Sequence, residues 1–468
     1  MNHHDVIVLG AGSGGFASAL SAARLGAKVL LVEKSDSLGG NAARGGVNVW
    51  EPGVGGTGIP FEIYRRLKRH PNAVGIHRKG RQHPDIPGGE AVLDASLRYV
   101  DTLRRFLLPG EDRRQILRSV AFEPEPYASV LSAMLAETGN VKVLFNTELH
   151  SAKLTGRRLV SVELSDGGTH SATAFIDGSA DIHLARAAGC AHRTGQDGRA
   201  AHDETAAPGQ PTPKLNGVTQ IYRVDPILDD AKPTIEPLPG DIPSECWWAP
   251  RFPLAVFSEY PSGGYNINML PTMEGREFQA LGVDAARVEC IRRIRAHWHH
   301  LQTVLPEMRR QHLSWIAPAV GVREGPRLIG RYVLTQHDLD ATLKAQRHDD
   351  IVCIVDHAKD VHGESHVGKE VSFPYGVPYR CLLPVELDNL VVACRGASFS
   401  AIAASSCRLS RTMLQLGQAA GNAVALAATL RVPPSEIPPE KLLHLLREQH
   451  VQLEWPAPPD LAAYLAAE

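Results

Sequence analysis

The sequence predicts an α/β protein that opens with a parallel strand–helix–strand unit and carries a second, inserted α+β part. Three observations lead there. An apolar run, Asp5-Val6-Ile7-Val8-Leu9, passes straight into Gly10-Ala11-Gly12-Ser13-Gly14-Gly15. An Ala-rich helical stretch follows from about Phe16 to Leu25, with Gly26 as its stop signal. A second apolar strand, Lys28-Val29-Leu30-Leu31-Val32, ends on Glu33.

The glycines of this unit have separate tasks. Gly10 permits a tight turn, Gly12 lets the backbone approach a pyrophosphate, and Gly15 lets helix and strand pack closely. Ser13 and Gly14 open the helix, whose free amides and positive dipole end suit phosphate. Glu33 is positioned to accept hydrogen bonds from ribose hydroxyls and to repel a 2′-phosphate. A bare GxGxxG is weak evidence, and the chain holds a second one at Gly53-Val54-Gly55-Gly56-Thr57-Gly58. That match follows Glu51-Pro52 with no strand before it and is read as a loop.

Composition narrows the class. The chain has 468 residues, and 49 Lys+Arg against 51 Asp+Glu leave a formal charge of −2. Balanced charge removes the footprint of a nucleic-acid binder, and no apolar run reaches the roughly 18 residues of a membrane span. Met1-Asn2-His3-His4 leads directly into the first strand without a signal-peptide pattern, so a soluble, cytoplasmic protein is expected. A small-molecule substrate is expected, with no nucleic-acid or membrane partner; a homo-oligomer is allowed. The seven cysteines, at 190, 246, 290, 353, 381, 394 and 407, form no CxxC and are read as buried and reduced.

The residues after the second strand separate nicotinamide from flavin. Glu33-Lys34, Leu38-Gly39-Gly40-Asn41 and Arg44-Gly45-Gly46 resemble the continuation found in flavoproteins of the glutathione-reductase-like FAD fold. The resemblance implies FAD, with the glycine pairs lying along it. Val141 to Phe145 looks like that fold's strand beside the adenine. The run from Ala174 to Asp181, with Gly178, resembles its return strand. Leu387 to Arg395 reads as a turn and a buried strand. Small residues follow, then a helix from about Arg408 through Gly417-Gln418-Ala419-Ala420-Gly421. The small residues would let this helix pack against the first unit, and its N-terminal end would face the flavin.

Together these segments resemble a bacterial family of FAD-dependent oxidoreductases, distantly related to fumarate-reductase flavoproteins. The stretches from Gly321 to Tyr332 and from Pro374 to Arg380 look like that family too. Relatives often carry a His shortly after the strand that ends here at Arg395. This chain has Ala401 there, so no catalytic role is carried over to that loop. The resemblance implies a discontinuous Rossmann-like FAD-binding domain at residues 1–50, 120–205 and 375–430. Residues 51–119 are an insertion, 216–370 a substrate or cap domain, and 431–468 a helical tail. Within the insertion, Leu93, Leu97, Val100, Leu103 and Leu107 have helical spacing. Residues 195–215 read as a linker by composition.

Flavin chemistry usually needs a positioned acid or base. The cap has one dense polar cluster: Asp356, His357, Asp360, His362, Glu364 and His366. His357 or His362 would move the substrate proton, since a histidine titrates near working pH. A metal is not expected, because Gly363 disfavours a helix and HGESH is not HExxH. Arg44, Arg323, Arg380 and Arg395 are candidates to clamp an anionic substrate or the flavin. Tyr379 offers a phenol donor or core packing. His297, His299 and His300 read as an exposed patch around Trp298.

The function expected is dehydrogenation of a small polar or sugar-like substrate by hydride transfer to flavin N5. No second strand–GxGxxG–helix unit exists for NAD(P)H, so electrons are expected from the substrate itself. The enzymatic alternative is reduction of an activated double bond, with Arg323 or Arg380 as proton donor. Asp177-Gly178 also fits an aromatic-hydroxylase motif, but Cys394-Arg395-Gly396 stands where the second motif belongs. The non-catalytic alternative is an FAD-binding partner protein.

Overall fold

A computed structural model describes residues 2–80, 90–103, 118–227, 233–362 and 367–468. Asn2–Leu9 forms the first strand, Ser13–Arg24 the first helix and Val29–Val32 the second strand. Val6 to Leu9 and all of Val29–Val32 are buried, as apolar strands covered on both faces require. The parallel order runs Val141–Leu144, Val29–Val32, Asn2–Leu9, Thr169–Asp177, and Leu390–Val392 pairs parallel to the last of these. Arg158–Leu164 and Leu149–Thr155 extend this sheet antiparallel. The fold is therefore α/β and Rossmann-type around the glycine loop.

A long helix, Ser410–Leu430, crosses against the first one. A Cβ on Gly421 would stand 2.3 Å from the Ser18 carbonyl oxygen, so only glycine allows this spacing.

An eight-stranded sheet forms the second layer. Its order is Gln311–Ile316, Tyr222–Pro226, Tyr265–Leu270, Leu254–Glu259, Glu90–Leu93, Val74–Lys79, Ser119–Phe122 and Val49–Trp50. Strands from segment 51–119 and from segment 216–370 thus share one sheet. The period of two decides what each face does. Ala255, Phe257, Ile267 and Met269 pack with Ile294 and Trp298 of the helix Val283–Val304. Val256, Ser258, Asn266 and Asn268 face the other way, into a cavity.

Several local expectations differ from the structure. Leu93 ends a strand rather than a helix, because Glu90–Leu93 pairs with Val74–Lys79 and Leu254–Glu259. Among the described residues a 3₁₀ turn, Tyr99–Leu103, follows, and Leu107 lies outside them. The stretch 195–215 is packed, not a free tether. Asp197 is buried against Arg327 and accepts the Ala401 amide, while Glu204 accepts the Gln336 amide and the Ser400 hydroxyl. Its polar composition reads as a linker, yet distant partners satisfy these carboxylates.

His297 is likewise buried, its Nδ1 2.7 Å from the Tyr222 hydroxyl. His300 stacks on Phe252 instead of standing alone. His297 faces Tyr222 of the sheet and His299 lies 2.9 Å from the Glu236 carbonyl, which is why the exposed-patch expectation fails. The segment Gly53 to Gly58 is a loop.

Candidate active site

The first helix begins beside an open cradle. Its first intrahelical bond is from the Phe16 amide to the Gly12 carbonyl, 2.8 Å, so the amides of Ser13, Gly14 and Gly15 have no partner within the helix. A Cβ placed on Gly12 would meet nothing within 4 Å, whereas one on Gly14 would lie 1.8 Å from the Ala393 carbonyl oxygen. One on Gly15 would lie 1.8 Å from the Gly10 carbonyl oxygen. Gly12 therefore borders free space, and Gly14 and Gly15 are packed against backbone. Gly178 closes in on Gly15 in the same way.

Glu33 ties this loop to its neighbours. One carboxylate oxygen accepts the Ala11 amide at 2.7 Å, and the other accepts the Ser35 amide and hydroxyl. Lys34 is exposed. Gly40 turns against Gly12, Gly39 lies against the Tyr127 ring and Ala43, and Gly45 sits against the Asn41 backbone. These residues fit a dinucleotide: open backbone at Gly12, free amides for a diphosphate, and a carboxylate at the strand end. Arg44 pairs with Asp36, and Arg395 holds Asp181 at 2.9 Å.

Beside the cradle lies a cavity of 590 Å³. Asn41, the stretch from Gly46 to Val54, and the first turn of the long helix line one side. The polar face of the eight-stranded sheet lines another, and residues 355–358, Asp360 and His362 a third. His357 is buried there, its Nε2 3.2 Å from a Glu51 carboxylate oxygen. About half of the Glu51 side chain, 52%, is uncovered, and Glu51 lines the cavity. Burial works to raise the Glu51 carboxyl, but the charge and hydrogen bond of His357 prevail and pull it to about 2. Arg411 donates to the Glu51 carbonyl.

A second set adjoins it. One Asp360 oxygen accepts Arg408 at 2.7 Å and lies 2.8 Å from His362 Nε2. Despite the opposing effect of burial, these partners hold Asp360 well below the usual carboxylate range. Burial lowers His362, against the pull of Asp360. Arg323 donates to the Gly217 carbonyl and the Thr219 hydroxyl, both at 2.8 Å. Burial, reinforced by the nearby Arg408 charge, lowers Arg323 to about 9. His357 Nδ1 and Arg408 Nε are buried without a hydrogen-bond partner among the described residues.

The structure thus brings His357, His362, Arg323, Arg395 and Asn41 to one cavity. Arg380 does not join them. It forms a two-pronged pair with the buried Asp350, with both N–O distances 3.0 Å, on the 3₁₀ turn Tyr379–Leu382. A neighbouring carboxylate, invisible as a pattern in sequence, claims its guanidinium. Tyr379 is core, its hydroxyl donating to the Pro434 carbonyl. Asp177 is wholly buried and accepts the Ser179 and Ala185 amides, a structural task. Glu364 and His366 lie outside the described residues. Sequence reasoning missed Glu51, Arg408 and Arg411; the only signal was the Glu51-Pro52 turn after the short strand Val49–Trp50. Among the described residues no group of three or more His, Cys, Asp or Glu is arranged to hold a metal. None of their helices is long and apolar enough to cross a membrane.

Comparison with known proteins adds the family. A fumarate reductase (cytochrome) of Shewanella frigidimarina is 54% identical over 46 residues, 9% of this chain and 8% of that protein. A 3-oxosteroid 1-dehydrogenase of Mycolicibacterium smegmatis is 45% identical over 49 residues, 10% of this chain and 9% of its own length. The chain therefore spans under a tenth of the curated relatives it matches. Among solved structures, a geranylgeranyl bacteriochlorophyll reductase-like protein of Thermoplasma acidophilum superimposes with a TM-score of 0.47 at 12% identity. That match covers 100% of this chain and 96% of the other. The myxobacterial chondrochloren halogenase CndH gives 0.41 at 11% identity, over 96% of this chain and 80% of the other. The profile of the FAD dependent oxidoreductases matches residues 5–446, nearly the whole chain. With the cradle and the cavity in view, the chain belongs to that family and is an FAD-dependent enzyme.

Proposed function

We propose that the enzyme dehydrogenates a small polar or sugar-like alcohol, converting a C–H and an O–H into a carbonyl. Gly10, Gly12, Ser13, Gly14, Gly15, Glu33, Gly39, Gly40, Asn41, Gly45 and Gly178 would hold or border FAD, whereas Gly417, expected from sequence to do the same, packs behind Gly14 and Ala17. When bound, FAD supplies the two-electron acceptor, taking the hydride at N5. The observation that carries the reading is the His357–Glu51 pair inside the cavity. A carboxylate that orients a buried imidazole makes a general base suited to a hydroxyl proton. Arg323 and Arg408 would bind and orient the polar substrate. The second GxGxxG is a loop held by Asp356 and Gln452, which favours substrate over NAD(P)H as the electron source.

The second reading is a reductase of an activated double bond. Arg323 favours it, because a buried guanidinium lowered to about 9 beside Arg408 and Asp360 is suited to donate a proton. Anaerobic titration of the FAD-loaded protein with NADH and NADPH separates the two. Rapid bleaching of the flavin bands supports the reductase. Bands that stay intact under NAD(P)H but bleach with alcohols or sugars support the dehydrogenase.

A further inference from the structure

The cavity wall carries a hydrogen-bonding device that the proposed reaction leaves unused. Ser119 and His77 stand opposite each other in the antiparallel pair of Val74–Lys79 and Ser119–Phe122. His77 is fully buried, its Nε2 2.7 Å from the Glu259 carbonyl oxygen and its Nδ1 3.2 Å from the Ser119 hydroxyl. A carbonyl can only accept, so Nε2 carries the ring proton. Burial lowers the imidazole despite the Glu259 carbonyl, which keeps the ring neutral and Nδ1 an acceptor. Ser119 must then give its one hydroxyl proton to His77. Toward the cavity it lines, Ser119 has only lone pairs left. Asn268 lines the same cavity, and its Oδ1 is buried without a hydrogen-bond partner among the described residues.

From this geometry we infer that the sheet wall is a subsite for a second, non-reacting hydroxyl of the substrate, donated to Ser119 Oγ, and that the substrate is a polyol or sugar rather than a simple alcohol. Ser119 Oγ and Asn268 Oδ1 accept from hydroxyl donors, and a substrate without a second hydroxyl leaves them unpaired, which is how such a site discriminates. Ser119 is the binding contact, and His77 is its positioning residue. The inference uses the dehydrogenase reading only for what happens at the reacting carbon.

The test uses the FAD-loaded protein under anaerobic conditions, titrated with D-sorbitol, D-glucose and 1-propanol. Shifts of the flavin bands report binding, and bleaching reports reduction. The wild type is expected to bind the polyols at least about tenfold more tightly than 1-propanol. In Ser119→Ala this preference falls about 5- to 10-fold, the loss of one hydrogen bond, and Ser119→Thr retains it. His77→Leu raises KM for the polyol without lowering kcat.

A preference unchanged in Ser119→Ala overturns the subsite, as does a wild type whose spectrum no polyol moves. Loss in Ser119→Thr equal to that in Ser119→Ala also overturns it. Polyols that shift the bands but never bleach them remove the dehydrogenase reading and keep the subsite. Bleaching by polyols and 1-propanol with equal efficiency keeps the reading and removes the subsite.

Discussion

Gly417 of the long helix approaches Gly14 of the glycine-loop helix so closely that a Cβ at 417 would stand 2.1 Å from the Gly14 carbonyl oxygen. The contact clamps the loop from behind while its front stays open. Gly417→Ala is expected to destabilise the protein by about 1–3 kcal/mol, since backbone rather than a flexible side chain must yield. Urea denaturation measures this, and an unchanged midpoint would show that the helices separate freely.

Gly12 should behave in the opposite way. Its φ of −66° and ψ of −173° suit any residue, and its Cβ direction is empty. Gly12→Ala is expected to leave the stability of the FAD-free protein within about 0.5 kcal/mol of wild type. FAD retained after gel filtration should nevertheless fall sharply. Full flavin content in Gly12→Ala would mean the cofactor lies elsewhere.

Two candidate residues should divide cleanly by kinetics. His357→Gln is expected to slow anaerobic flavin reduction by the best donor about 10²–10⁴-fold, the usual contribution of a general base. Arg380→Ala should leave that rate unchanged and cost about 1 kcal/mol of stability, because its pair with Asp350 is partly solvated. Equal rate losses in both variants would contradict the division of roles.

His297 makes stability depend on pH. Burial, with the His300 charge adding, takes its pKa from near 6.5 down to about 3, although the Pro253 carbonyl opposes this. The unfolded chain binds a proton below about 6.5 while the folded protein does not until about 3. Its contribution is therefore complete above 6.5 and is lost as the pH falls from 6.5 to 3, with a slope of at most about 1.4 kcal/mol per pH unit. His297→Gln removes that slope. Unfolding free energies at pH 7 and pH 5 provide the measurement, and an identical difference in variant and wild type would refute it.

Legibility in the sequence followed distance along the chain. The loop from Gly10 to Gly15, the flanking strands and Glu33 lie within one local unit, and their spacing alone announced the nucleotide cradle. The helix with Gly417 and Gly421 was legible for the same reason: small residues one turn apart imply a close neighbour. The helical spacing from Leu93 was misleading, because strand partners from Val74–Lys79 and Leu254–Glu259 overrode it. His357 was readable as a titratable residue in a polar cluster. Its partner Glu51 was not, being 306 positions away.

By itself, then, the sequence determined the α/β class, the glycine cradle and the FAD family, because these depend on local backbone geometry and short-range patterns. Tertiary structure alone decided which charged groups share the cavity. Arg323 and Arg380 are the same residue type in similar-looking segments, yet one faces the cavity and the other is held by Asp350. A side chain's chemistry is set by what surrounds it. Those surroundings, Glu51 beside His357 and His77 behind Ser119, arise only when distant strands and loops pack together.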